Sequence, residues 1–450
     1  MFILGRKRFL QLKKILTRFL NKWRYNYNMD NDIKNALEKG KDYLLKKQND
    51  EGYWVSETST VSKGPEYLQK PIVRTSEIVE ALLHLELEDT SSINKGIYYC
   101  YKEKVEDTDT IELLSSKLKA LSYSNVQYIQ KKAKQIFKII LERQNKEGYW
   151  PSFPKTSNLT NYLVAESLRE YDCKEDLEKL RKWLIEHKAK DGQGWGINES
   201  SEKSQVSFTA NAILTIFNQE DINNKEIENG IKFLESKQMK DGSWPSSELT
   251  YPNESTVYAT ALVCLILIKT KDNINDKIIE SSIKFLLNTQ LEDGSWPLKK
   301  GESGEYFTTC YAIKTLRYYL YLKERLNNED IKILIKNSKN KKIITTHLLN
   351  EYQQKIRKKF LESHYNLLLD KILATTTSAV KRRKIILEIL YGEGEKDTAD
   401  IIDGLKRLDG YKGLHKRSHL AQIKNDMDAL VNLGFIEESH RKYYLVKKVN

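Results

Sequence analysis

The sequence predicts an all-α protein in which six helix pairs close into a ring, followed by a helical connector and a small C-terminal domain. Three observations carry this. The string QxxxGxW occurs four times, as Gln48-Gly52-Trp54, Gln144-Gly148-Trp150, Gln238-Gly242-Trp244 and Gln290-Gly294-Trp296. Each copy sits between an amphipathic, charged stretch and a more apolar one. Residues 379–450 leave the repeat and pass from helical to alternating periodicity. The resulting domains are a basic N-terminal helix (1–29), the ring (30–322), the connector (323–378) and the C-terminal domain (379–450).

Residues 1–27 read as a basic amphipathic helix with Phe2, Phe9, Leu12, Leu16, Leu20 and Trp23 on one face. No continuous apolar core marks it as a secretory signal. A membrane-surface role and docking on the outside or mouth of the ring explain the same stripe.

In the ring, the copies are separated by 96, 94 and 52 residues. The two long gaps are each about two periods of 47–48, as in repeat architectures, so each hides a degenerate unit. One shows as DGQGW, ending at Trp195; the other falls near residues 90–120. Each unit reads as an amphipathic helix running into the Gln, a Gly turn, the Trp, and a second, apolar helix. The second helices carry small-(Leu/Ile)-x-x-apolar, at Ala81, Ser167, Ala212, Ala261 and Ala312, with Lys117 in the small position of the hidden unit. Amphipathic outer and apolar inner helices predict closure into an α/α toroid, which buries the end faces that an open solenoid must cap. The expected roles are structural: Gln48, Gln144, Gln238 and Gln290 satisfy helix-end backbone, and Trp54, Trp150, Trp195, Trp244 and Trp296 fill the seams between pairs.

These repeats resemble the QW motifs of the squalene/terpenoid cyclase and protein prenyltransferase β-subunit superfamily. The resemblance covers about two thirds of the chain and implies an α6–α6 toroid whose apolar central cavity holds isoprenoids. It says less about activity, because the repeats lie outside the chemistry. Cyclases of this kind protonate an alkene with the middle Asp of a DxDD motif at the start of an inner helix. The nearest string here is Asp107-Thr108-Asp109-Thr110, which lacks the last Asp. Counted from the inner-helix pattern, Asp109 falls one turn early and Glu112 takes the middle-Asp position. Asp107, Asp109 and Glu112 are therefore the candidate catalytic acids. Helix capping, with Asp109 followed three residues later by Glu112, accounts for the same residues.

Prenyltransferase β subunits hold zinc with a His in a DFYHTCY-like string. The chain has Glu305-Tyr306-Phe307-Thr308-Thr309-Cys310-Tyr311, with Thr308 in place of that His and no Asp-x-Cys pair in the preceding unit. A metal-dependent prenyltransferase is thereby rejected, and no DDxxD motif or other cofactor signature is present. The inner-helix starts supply a candidate ligand lining of Glu77, Glu80, Tyr162, Glu166, Asn211, Tyr258, Tyr306, Thr308 and Tyr311. Aromatics among carboxylates suit an apolar or cationic ligand, and helix packing with a few satisfied acids explains them equally.

The connector is Lys-rich, and its length and apolar spacing allow a helical hairpin packed on the toroid. The C-terminal domain resembles a winged helix-turn-helix. KRRKIILEILYG is its first helix, DTADIIDGLKRL its second with Asp397 as N-cap, and KRSHLAQIKNDMDALVNLGFIEE its recognition helix, with a buried stripe of Ile423, Met427 and Leu430. SHRKYYLVKK then alternates as a wing strand. His415, Lys416, Arg417, Ser418, His419 and Gln422 are the candidate contacts with DNA or a protein partner. Asp426 and Asp428 on the same helix argue against a groove-bound face.

The net charge of +13 is uneven. Residues 1–29 hold eight Lys/Arg and no acid, residues 331–450 a net +11, and the repeat region about −6. The two ends, not the middle, are built to meet anionic partners. Four scattered cysteines indicate a reducing, cytoplasmic setting, and no apolar run reaches the roughly 18 residues of a transmembrane helix.

The reading is a toroid that binds an apolar, isoprenoid-like small molecule or a peptide segment, coupled to a winged helix that binds DNA or protein. The alternatives are a class II-type cyclase acting through Asp109 or Glu112, and a DNA-binding regulator with a ligand-sensing toroid.

Overall fold

In the computed structural model, residues 29–55, 70–87, 90–106, 108–124, 127–152, 157–217, 225–245, 254–271, 274–326, 328, 345, 347–360, 383, 386, 396–406, 417–432, 436–439 and 442–445 are described. The N-terminal stripe, Asp107, His415, Lys416 and most of the connector lie outside them.

Each repeat becomes a long helix, a Gly turn and a second helix. The outer helices are α1 (29–46), α3 (Ser91–Lys102), α5 (Gln127–Glu142), α7 (Lys174–Glu186), α9 (Lys225–Ser236) and α11 (Lys277–Thr289). The inner helices are α2 (Pro71–His84), α4 (Ile111–Ser122), α6 (Asn158–Leu168), α8 (Val206–Ile216), α10 (Val257–Thr270) and α12 (Tyr306–Leu326). The division follows amphipathicity: α9 buries one stripe, Ile227, Gly230, Phe233 and Leu234, whereas α10 is buried continuously from Val257 to Ile268. Each inner helix packs on the next, α2 on α4, α4 on α6, α6 on α8, α8 on α10 and α10 on α12, and α12 returns to α2. Two short strands, β1 (Trp244–Pro245) and β2 (Ser255–Thr256), pair antiparallel ahead of α10.

The repeat residues are joints, each with a distinct partner. Every Gln spans two helices. Gln48 Nε2 donates to Gly52 O and to Ser92 O of α3, each at 2.8 Å. Gln144 reaches Asp176 O of α7 at 2.9 Å, and Gln238 reaches Ile278 O of α11 at 3.0 Å. Gln290 donates to Ala36 O of α1 at 2.8 Å, which ties the last turn to the first helix. The paired glycines have positive φ, from 90° at Gly242 and Gly294 to 99° at Gly148. A Cβ on Gly294 would stand 2.2 Å from Lys39 O, so the turn demands glycine twice over.

The tryptophans bolt outer to inner helix within a pair. Their indole N–H groups donate to the ends of the outer helices, at Leu44, Ile140, Leu184, Leu234 and Leu286 O, all at 2.6–2.7 Å. Their backbone N–H groups donate to Thr75, Asn161, Thr209, Thr260 and Thr309 on the inner helices. This Thr/Asn position is a second repeat signal that the QxxxGxW search passes over.

The two degenerate units replace these joints with lysines. Where Gln is missing ahead of Trp195, Lys188 pairs with Glu226 of α9. Where Trp is missing ahead of α4, Lys117 reaches back to Lys104 O, and Lys132 of α5 donates to Tyr101 O and Glu103 O.

Beyond the ring, helix α13 (347–360) lies across the C-terminal ends of α2 and α4 and along α12. Tyr352 OH donates to His84 O at 3.2 Å and its ring stacks on Tyr321 at 4.4 Å. Gln353 donates to Tyr318 OH at 2.6 Å, Arg357 donates to Ser122 O at 2.9 Å, and Arg357 also pairs with Glu170. The contiguous core runs from Met29 to Phe360.

The C-terminal segment carries α14 (Thr398–Lys406), α15 (Arg417–Asn432) and an antiparallel sheet ordered β3 (Lys396–Asp397), β5 (Lys442–Leu445), β4 (Ile436–Ser439). Ile423, Met427 and Leu430 are fully buried on α15. Asp397 sits in β3 directly ahead of α14. Arg417, Ser418 and His419 fall in the first turn of α15, and Gln422 is exposed. Asp426 does not face outward as the sequence reading had it. It is 2% exposed and accepts from Arg383 Nε at 2.9 Å, so it says nothing about a nucleic-acid groove. Among the described residues no helix is long and apolar enough to cross a membrane.

The closure joint yields a prediction. Gly294→Ala combines left-handed strain with a backbone collision and should cost about 3 kcal/mol or more in urea unfolding. Gly192→Ala, where a Cβ meets nothing within 4 Å, should cost about 1–2 kcal/mol. Equal losses would contradict the joint.

Candidate functional site

The interior of the ring has two levels. Near the N-terminal ends of the inner helices stand four aromatic rings from three of them. Tyr258 on α10 meets Phe307 and Tyr311 on α12 at centroid distances of 4.9 and 5.1 Å, and Phe307 meets Tyr311 at 4.9 Å. Tyr311 OH reaches Tyr162 OH of α6 at 3.4 Å. Arg74 of α2 lies over Phe307 at 5.6 Å and pairs with Glu305 at 3.3 Å. Glu305 in turn accepts from the N–H and hydroxyl of Thr308, so Thr308 serves the helix cap. Cys310 is buried, and burial pushes its thiol well up, as for a packed apolar residue. Asn211 Oδ1 on α8 is buried and has no hydrogen-bond partner among the described residues.

Tyr306 is a correction. Its ring packs 5.7 Å from Tyr43 of the outer helix α1, away from these four.

The candidate acids part company. Asp109 sits outside the aromatic level, where its carboxylate pairs with Lys117 at 2.6 Å and accepts the Glu106 N–H at 3.1 Å. The N-cap of α4 is Thr110, whose hydroxyl accepts from Leu113 N at 3.3 Å, one residue later than the capping expected at Asp109. Glu112 is buried in the first turn of α4 and accepts from the Thr160 hydroxyl of α6 at 2.7 Å. Among the described residues no cation lies within ion-pair distance of it.

The level below is ionic, and its carboxylates follow the packing alternative, as acids satisfied by neighbouring side chains. Glu80 is 8% exposed and lies between Lys119 of α4 at 2.6 Å and Lys314 of α12 at 2.7 Å. Glu77 shares Lys119 at 3.1 Å, and Glu166 pairs with Arg169 at 2.6 Å. Burial works to raise the Glu80 carboxyl, yet Lys119 and then Lys314 hold it well below the usual range. Burial likewise works to lower Lys119, and Glu77 and Glu80 hold it well above its ordinary value. Glu77, Glu80 and Glu166, read as ligand lining, are thus committed to intramolecular ion pairs. The missed signal was lysine within apolar inner helices, as in IELLSSKLKALS and YFTTCYAIKTL. Beneath this level burial brings His84 down to about 3, so it stays neutral against Tyr318 and Tyr352.

Two predictions follow from this level. Glu80→Gln removes the anion between two buried lysines and should cost about 3–5 kcal/mol, read as a shift in urea midpoint. His84 takes a proton in the unfolded chain below about 6.5 but in the folded chain only near 3. The unfolded state therefore binds more protons between those values, and stability should fall as pH drops from 7 towards 3. His84→Asn should flatten that slope by up to about 1.4 kcal/mol per pH unit, and an unchanged slope would refute the assignment.

Residues 84–253 match the squalene-hopene cyclase C-terminal domain, and residues 187–391 match the prenyltransferase alpha-alpha toroid domain. Similar solved structures include a variant of the type II terpene cyclase MstE from Scytonema in complex with geranylgeranyl dihydroxybenzoate. It is 14% identical, with a TM-score of 0.49, covering 65% of this chain and 99% of that one. A protein from Actinoplanes is 13% identical with a TM-score of 0.45, over 63% and 98% of the two chains. For ent-copalyl diphosphate synthase from Streptomyces platensis the values are 14% and 0.38, over 56% of this chain and 50% of that one. Across residues 84–391 the chain is therefore similar to domains of the squalene-hopene cyclase and prenyltransferase toroid families.

Proposed function

We propose that this chain is a terpenoid-cyclase-like toroid of six helix pairs that binds its ligand without cyclising it. The ligand is an apolar, isoprenoid-like molecule or a peptide segment with apolar side chains. The observation that carries the reading is the N-terminal level of the ring. Tyr162, Tyr258, Phe307 and Tyr311 offer an aromatic surface, and Asn211 Oδ1 is a buried acceptor without a partner among the described residues. An unpaired buried polar atom next to apolar surface is what a ligand with one hydrogen-bond donor satisfies. The resemblance to squalene-hopene cyclase and prenyltransferase domains supports an isoprenoid over other apolar ligands.

Binding is favoured over catalysis because Asp109 is held in an ion pair outside the aromatic level. A cyclase of this type needs a carboxylic acid aimed at the substrate's alkene, with aromatic faces to stabilise the cation that forms. Glu112 is the acid the geometry leaves for that chemistry: it is buried, lies near the start of an inner helix and is held by one hydroxyl. This favours Glu112 over Asp109 in the cyclase alternative.

The C-terminal segment completes the proposal as a winged-helix module. Its support is the buried stripe of α15 and the three-stranded sheet beside it. It would couple ligand occupancy to DNA or to a protein partner, with Lys416, Arg417, Ser418, His419 and Gln422 as the contact set. If the partner is DNA, duplex affinity should fall steeply with salt, and the double change Lys416→Ala, Arg417→Ala should reduce the log–log slope by about two. An unchanged slope would exclude that docking.

The toroid reading is tested with geranylgeraniol and geranylgeranyl diphosphate. Saturable binding without product by mass spectrometry, weakened about ten-fold or more in Tyr311→Ala, is the expected result, as for loss of a well-packed aromatic. A cyclised product that disappears in Glu112→Gln would replace binding with catalysis.

A further inference from the structure

The lower level of the ring does not balance. Its cations are Lys119 on α4, Arg169 just after α6, Lys269 on α10 and Lys314 on α12. Its acids are Glu77, Glu80 and Glu166. Each acid already has its cation: Glu77 has Lys119, Glu80 has Lys119 and Lys314, and Glu166 has Arg169. Lys269 is left over. Among the described residues no carboxylate lies within ion-pair distance of its ammonium, whose contact is the face of Tyr318 at 5.4 Å. Lys269 is only partly buried, so an ammonium without a counter-charge there is open to an anion from solvent.

The surroundings leave a way in. The ion pairs and hydrogen bonds of α13 go to the ends of α2 and α4, to Glu170 and to α12. The remaining arc of this end runs over the C-terminal ends of α6, α8 and α10, from Arg169 to Lys269. There the Arg169 side chain is 32% exposed, with one guanidinium nitrogen donating to Leu214 O at 3.0 Å. A guanidinium has five N–H donors, so this leaves donors for a ligand.

We propose that the C-terminal end of the ring is an anion site, in which the carboxylate or phosphate of a small molecule bridges Lys269 and Arg169 with Lys314 behind them. The anion supplies the negative charge that the cluster lacks. This site does not rest on the ligand reading of the aromatic level, which adjoins it where Lys314 lies 5.6 Å from the centroid of the Tyr311 ring.

The site couples anion binding to a proton. Burial first, and then the charge of Arg169, bring Lys269 down to about 7, with Lys314 acting in the same direction and Glu166 and Glu80 against it. The other titratable groups that face it are His84 of α2 and Tyr318 of α12, with Tyr123 of α4 at the same end of the ring. Tyr123 and Tyr318 are raised by burial and His84 is held near 3, so Lys269 is the group that changes charge near neutrality. An anion is attracted by the ammonium only while it carries its proton, so affinity falls as pH rises through 7.

The test uses the full chain and two probes whose own charge is constant above pH 6, sulfate for a phosphate-type ligand and acetate for a carboxylate. Calorimetry at pH 6.0 and 8.5 should show saturable binding of at least one, about ten-fold or more weaker at the higher pH. Sulfate alone identifies a phosphate-type ligand, and acetate alone a carboxylate. Lys269→Met should lose the binding while melting at or above the wild-type temperature at pH 7, because it removes the leftover charge. Lys269→Arg, which stays charged, should bind at both pH values alike and decides the matter if the Met variant does not fold. Saturable binding of neither anion, or binding unchanged in Lys269→Met, overturns the proposal, as does pH-dependent binding that persists in Lys269→Arg.

Discussion

The structure depends on one joint, the turn of the last repeat seated on the first helix. Gln290 donates to Ala36 O, and Gly294 lets the turn approach Lys39 O more closely than any side chain would allow. The same Gln and Gly contacts join the turns after α1, α5 and α9 to the next outer helix. At the fourth such seam they join helices roughly 250 residues apart in sequence. A row of helix pairs has two apolar ends to cover; a ring has none. Closure is what allows the inner helices to be apolar on nearly every face, as α10 is.

Closure also creates the interior. It brings α12 beside α2, and so Lys314 beside Glu80. Glu80 then lies between lysines from both neighbouring helices, and these three side chains cross-link three of the six inner helices. Such a cluster does not add much net stability over a well-packed apolar core, but it penalises any register in which a charge loses its partner. It also divides the interior into an aromatic level towards the N-terminal ends and an ionic level towards α13. The two levels suit different chemistries, an apolar surface at one end and an unbalanced positive charge at the other.

Much of this architecture was legible from the spacing of four identical strings, because the turn they encode has one backbone geometry and one set of partners. Gln and Trp could be read as joints since an amide and an indole buried at a helix end have few other uses. The acceptors on the inner helices were not legible, because Thr75, Asn161, Thr209, Thr260 and Thr309 are common residues at unequal distances from their Trp. The degenerate seams were located by the period, together with DGQGW in one unit and the inner-helix pattern at Lys117 in the other. That Lys188, Lys117 and Lys132 repair them depends on where flexible side chains reach, which spacing does not determine. The interior misled for a related reason. Glu77, Glu80 and Glu166 were visible as carboxylates near inner-helix starts, but Lys119 and Lys314, the partners of Glu77 and Glu80, lie on helices brought together only by the fold, whereas Arg169 follows Glu166 by three residues. Asp109 and Glu112, three residues apart, received opposite surroundings because one precedes the first turn of α4 and the other lies within it.

Native-state hydrogen exchange tests the closed ring most directly. In a ring, α1 has neighbours on both sides, so the amides of Ile33 and Leu44 should be protected to within about an order of magnitude of those of Val164 and Ile213 on α6 and α8. In an open row the first helix is an end and frays, and exchange at Ile33 and Leu44 faster by several orders of magnitude would contradict closure through Gln290 and Gly294.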